Sequence, residues 1–138
     1  MTVGPVARNH GTETFFDGTA RDQFLLRRCR PSGHWCRPQA EACSECGSTD
    51  FDDVAASGRV RLVSWAVVPA RPRPDRPPAE ADIPAVVEFV EGPWWWSKLV
   101  GADPATLYEG MPLRMLFERA EGGEAVPVFS PDGGEEGA

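Results

Sequence analysis

Lysine is almost missing from this chain of 138 residues: Lys98 is the sole one, and arginine supplies the rest of the 14 basic side chains. Histidine is limited to His10 and His34, and tyrosine to Tyr108. There is no phosphate-cradling GxxxxGK[ST], no GxGxxG behind a strand, no HExxH and no GxSxG. Nucleotide hydrolysis by a P-loop, dinucleotide binding, zincin proteolysis and serine-hydrolase chemistry are thereby excluded. Carboxylates are plentiful, but no spaced pair stands out for acid–base work. The chain also lacks the run of about 18 apolar residues that a membrane span requires. Its start, MTVGPVARNHGTET, turns polar too soon for a signal peptide, so a cytoplasmic setting with reduced cysteines is expected. Basic charge is outweighed, 14 Lys+Arg against 21 Asp+Glu, and the net charge of -7 opposes general nucleic-acid binding, whose affinity comes from neutralised phosphates.

What is present is a globular chain, with 41% hydrophobic residues, more than a disordered segment carries. Thr12–Gly18 reads as a helical turn stopped by glycine and pinned by Phe15 and Phe16, behind a lead-in whose His10 is a solvated terminal side chain. Phe24–Cys29 reads as a strand entering a stretch rich in Cys, Pro, Gly and Ser. From Arg59 to Val68 apolar residues alternate, placing Val60, Leu62, Ser64, Ala66 and Val68 on one face of a strand. RPRPDRPPAEAD, residues 71–82, cannot join a ladder and reads as an extended polyproline-like loop, its arginines a solvated run. Ile83–Val90, Trp94–Val100, Met111–Phe117 and Val126–Phe129 are the remaining strands, with a helical turn at Pro104–Tyr108. Five strands with one long loop and one inserted turn fit a small Greek-key barrel. The tail, 132–138, is acidic, glycine-rich and expected to be disordered.

All four cysteines fall in one segment, Cys29-x6-Cys36-x6-Cys43-x2-Cys46, and CSECGS has the spacing of a zinc knuckle. Two thiolates three positions apart reach one ion at about 2.3 Å, and the following glycine relieves the tight turn. A module this small buries little surface, so a metal crosslink would supply much of its stability. The first half lacks a partner: Ser32 stands where a second cysteine would complete Cys29-x2-Cys. If the segment is extended, Ser32, His34 and Cys36 project to one face. Cys36, the softer donor, is then the favoured fourth ligand, and His34 the alternative. Trp94-Trp95-Trp96 is the other unusual feature. Alternation puts Trp94 and Trp96 on one face and Trp95 on the other, so at least one large ring lies outside a single barrel interior. Such rings anchor interfaces, or are covered by the proline loop or the ribbon.

In order and spacing, FFDG (15–18), FLLRRC (24–29), CSECGS (43–48), SGRVRLVSWAVV (57–68), VVEFVEGP (86–93), LVGADPATLYEGMPLRMLFE (99–118) and PVFSP (127–131) resemble the acyl-CoA-associated zinc-ribbon plus OB-fold family. These are small subunits of thiolase-like enzymes, including steroid side-chain aldolase complexes. The resemblance implies a mainly β fold: an N-terminal lead-in and short helix (1–22), a rubredoxin-like zinc ribbon (23–50) and a five-stranded OB barrel (51–131). It maps three family ligands onto Cys29, Cys43 and Cys46, with Ser32 in the fourth place. The function it implies is that of a non-catalytic or co-catalytic subunit. Its thiolase-like large partner would make or break carbon–carbon bonds in acyl-CoA thioesters, holding the substrate itself. The competing reading is a single-stranded nucleic-acid binder that stacks bases on the tryptophans, which the charge opposes.

Overall fold

The computed structural model describes residues 12–69, 74–75 and 81–131. The acidic tail, most of the proline-rich loop and His10 lie outside the described residues.

Helix α1 (Glu13–Thr19) is a two-turn element with Thr12 at its N-terminus. It continues through Gly18 rather than stopping there. The glycine serves close approach: a Cβ at position 18 would lie 2.7 Å from Leu25 Cγ and 3.1 Å from the Gln23 carbonyl oxygen. The chain reverses only at Asp22, in the left-handed region with φ 59°. Across the molecule, Arg119 donates to the Ala20 carbonyl at 3.0 Å and to Asp22 Oδ1 at 3.2 Å, tying the end of α1 to the barrel.

Strands β1 (Leu25–Cys29), β2 (Trp35–Cys36) and β3 (Phe51–Ala55) form an antiparallel sheet in the order β2-β1-β3. Strand β3, which begins just past the expected boundary at residue 50, pairs with β1 along its length, from Leu25 opposite Ala55 to Cys29 opposite Phe51. Arg30 fastens that register, at 3.2 Å from Asp50 and 2.8 Å from Asp52.

Strands β4 (Arg59–Trp65), β5 (Pro84–Phe89), β6 (Trp94–Lys98), β7 (Pro112–Arg119) and β8 (Ala125–Pro131) form the second sheet, in the order β6-β5-β4-β7-β8. The two outer strands come together through a parallel bridge from Leu99 to Phe129 and a bond from the Val100 N–H to the Phe129 carbonyl, 2.8 Å. This is the five-stranded barrel expected, with a 3-10 turn at Pro104–Thr106 capped by Asp103. The alternation read from Arg59 to Val68 holds only as far as Leu62. A register shift between Leu62 and Ser64 flips the face, so that Ser64, Ala66 and Val68 are exposed while Trp65 packs on the core. A bulge adds a residue without altering local hydrophobicity, so alternation alone does not reveal it.

The ribbon and the barrel share one core. Phe24 and Leu26, at 2% and 0% exposure, extend from the ribbon side into the cluster of Leu62, Val87, Phe89 and Phe129. Phe24 meets Phe89 at 4.8 Å and Trp95 at 5.1 Å between ring centroids, with Phe15 of α1 on its other side. A second cluster of Cys29, Cys36, Ala40 and Cys43, with Phe51 against it, is the interior of the ribbon.

Candidate metal centre and aromatic edge

The Sγ atoms of Cys29, Cys43 and Cys46 all lie within 4.8 Å of one another. Cys29 and Cys46 are 3.5 Å apart. Thiolates bound tetrahedrally at about 2.3 Å stand about 3.8 Å from each other, so this donor set fits one zinc-sized ion. Two turns carry the donors. In the first, the Gly33 N–H bonds the Cys29 carbonyl at 2.8 Å, and the Cys29 N–H bonds the His34 carbonyl at 2.9 Å. In the second, Gly47 bonds back to Cys43 at 2.8 Å and Cys43 to Ser48 at 2.8 Å. Both turns need a glycine with left-handed backbone, φ 73° at Gly33 and 77° at Gly47, where a Cβ would be strained.

Cys29 and Cys43 are buried, whereas Cys46 is exposed. Burial opposes ionisation of Cys43. The N–H groups of Cys46 and Glu45, the Ser32 hydroxyl and the Cys29 thiol outweigh it and bring the Cys43 pKa down to about 6. At Cys46 the Ser48 N–H favours the thiolate, but the neighbouring Cys29 thiol and burial raise the pKa overall. Cys36 is raised by burial first and then by the nearby Cys43.

Cys36, the favoured fourth ligand, lies against Cys43 and packs with Cys29 and Cys43, but its Sγ is not among the three that lie mutually within 4.8 Å. Its Sγ lies 4.0 Å from the His34 carbonyl. The extended geometry that would have aligned Ser32, His34 and Cys36 is broken at Gly33, and the strand comprises only Trp35–Cys36. The ring of His34 lies with Nε2 3.4 Å from the Ser44 hydroxyl. Ser32 also reaches the cluster, with Oγ 3.6 Å from Cys43 Sγ. Arg27 secures the loop between Cys36 and Cys43: it donates to the Ala40 carbonyl at 2.7 Å, pairs with Asp53 at 3.5 Å and covers the Phe51 ring at 4.6 Å. Sequence reading missed this role, and an arginine within an apolar strand is the signal that could have found it.

The tryptophan run divides as alternation requires. Trp94 and Trp96 on β6 are 56% and 67% exposed, while Trp95 turns inward against Phe15 and Phe24. Trp94 also borders a groove of about 1170 Å3 between α1, the ribbon and the β5–β6 turn, where Phe15, Arg27, Arg37 and Pro38 meet.

Residues 53–118 match the family described as ChsH2, C-terminal OB-fold domain. Over that stretch the chain is similar to the ChsH2 OB-fold domain. Among solved structures it resembles the Ltp2-ChsH2(DUF35) aldolase at TM-score 0.75 and 29% identity, over 91% of this chain and 97% of that one. A DUF35-family protein of Sulfolobus solfataricus, at TM-score 0.64 and 14% identity, shares the fold over 90% of this chain and 87% of its own. Of characterised sequences, a probable enoyl-CoA hydratase alpha subunit of Thermomonospora curvata is 29% identical over 91% of this chain. A DUF35 domain-containing scaffold protein of Methanocaldococcus jannaschii is 29% identical over 67% of this chain. The chain spans 39% of the first relative's length and 65% of the second's. The ChsH2/DUF35 likeness thus extends through ribbon and barrel together. Among the described residues, no helix is long and apolar enough to cross a membrane.

Proposed function

We propose that this chain is an accessory subunit of an enzyme complex acting on acyl-CoA thioesters, with a thiolase-like large subunit that carries the carbon–carbon bond chemistry. The observation that carries the reading is the likeness to the ChsH2 chain of an aldolase over almost its whole length. The thin inventory of catalytic side chains and the exposed Trp94 and Trp96 support it. In this reading the two rings, held in place by β5 on one side and the core-bound Trp95 between them, anchor the partner. Zinc is the proposed ion, held by Cys29, Cys43 and Cys46, and when bound it supplies a crosslink for the ribbon and no step of a reaction. What the chain itself does is present a rigid surface, since α1, ribbon and barrel are joined through Phe24 and Arg119.

Co-expression with a thiolase-like subunit tests this directly. The expected result is a co-eluting complex whose acyl-CoA turnover depends on both chains, and which Trp94→Ser with Trp96→Ser dissociates. Independent elution of the two chains would refute it.

A further inference from the structure

Each residue of the first turn has its counterpart fourteen positions later: Cys29 and Cys43, Ser32 and Cys46, Gly33 and Gly47, His34 and Ser48. The backbone bonds correspond pair by pair: Gly33 to Cys29 as Gly47 to Cys43, and Cys29 to His34 as Cys43 to Ser48. The side chains correspond as well. Ser32 Oγ accepts the His34 N–H at 3.2 Å, as Cys46 accepts that of Ser48. The inner pair, Cys29 and Cys43, is buried, and the outer pair, Ser32 and Cys46, is exposed. The hydroxyl therefore has the backbone frame, the N–H contact and the exposure of a knuckle's second ligand, and its oxygen lies 3.6 Å from Cys43 Sγ.

We infer that Ser32 supplies the fourth position of a three-thiolate, one-hydroxyl site for a thiophilic divalent ion such as Zn2+, in place of Cys36 or His34. The inference rests on the zinc reading above. A neutral hydroxyl is a harder and weaker donor than a thiolate, so this corner of the site exchanges with water while three sulfurs hold the ion. Its position at the solvent-facing edge makes the exchange sterically open. The ribbon thus keeps a metal crosslink of lower affinity than four cysteines would give.

Cobalt(II) loading of the whole reduced chain under anaerobic conditions tests the assignment. Sulfur-to-metal charge transfer grows with the number of thiolates, and d–d bands report tetrahedral geometry. One equivalent is expected, with three-thiolate intensity that neither Cys36→Ser nor His34→Ala changes. Ser32→Cys is expected to raise the charge transfer by roughly one third and to slow extraction by a chelator on the order of tenfold or more. Loss of charge transfer in Cys36→Ser, a changed d–d band in His34→Ala, or no change in Ser32→Cys would overturn the assignment of Ser32 alone. Failure of the wild-type chain to take up cobalt or zinc would overturn the zinc reading together with it.

Discussion

Gly18 and Phe24 show how much single positions decide. Position 18 has no room for a methyl group, because Leu25 and the Gln23 carbonyl close over it. Gly18→Ala is expected to destabilise the fold by about 1–3 kcal/mol as Leu25 and α1 are forced apart; the shift in urea midpoint measures it. Phe24 is 2% exposed and touches Phe15, Phe89 and Trp95. Phe24→Ala should cost about 3–5 kcal/mol through the cavity left between ribbon and barrel, and a single cooperative transition in calorimetry should broaden or split. Neither effect follows from residue type. Glycine after a short helix suggests a stop, and the reason for this glycine lies in a strand that packs on it. The three converging cysteines were legible one by one from CSECGS and Cys29. The relation of Ser32 to Cys36 was not, because it turns on the left-handed backbone at Gly33, which reverses the chain before Cys36 is reached.

Among the elements, β6 presents different chemistry on its two faces. Trp95→Ala should weaken the isolated chain, since its ring packs on Phe15 and Phe24. Trp96→Ser, at a ring that is 67% exposed but stacked on Trp95 at 4.9 Å, should change stability by only about 0.5–1.5 kcal/mol. The same Trp96→Ser change should lower partner affinity by about 2 kcal/mol or more if the ring is an interface anchor; thermal unfolding and calorimetric binding separate the two quantities. The ribbon's β1–β3 pair carries a further, small contribution from Arg30. Its bond to Asp52, chiefly, holds that carboxyl below the usual range. Stability from this pair is present above the ordinary carboxylate pKa and is lost as pH falls through the depressed one. Because both groups are exposed, added salt weakens it. Strands β5 to β8 were readable as short apolar segments set between turn residues. The far half of β4 was not, because its bulge changes the phase without changing composition.

For the whole molecule, the ribbon depends on side chains that also complete the barrel, so removal of the proposed zinc should be felt beyond the cysteines. Chelation is expected to lower the unfolding temperature and to release amide protons of β1 and β2 first, while β4, β7 and β8 stay protected; hydrogen exchange distinguishes this from global loosening. A net charge of -7 also predicts no gel shift with single-stranded oligonucleotides at low salt, although an OB barrel with exposed tryptophans would otherwise invite stacking.

By itself the sequence determined the β-rich character, the positions of the three converging cysteines and the division of the tryptophans between two faces. Those properties follow from local spacing: alternation along a strand and a knuckle of two cysteines and a glycine. Tertiary structure alone decided that ribbon and barrel share Phe24 and Leu26, that β3 pairs with β1, and that the Ser32 hydroxyl approaches the sulfurs. Each of these depends on where distant backbone segments meet, and a chain's local pattern carries no record of that distance.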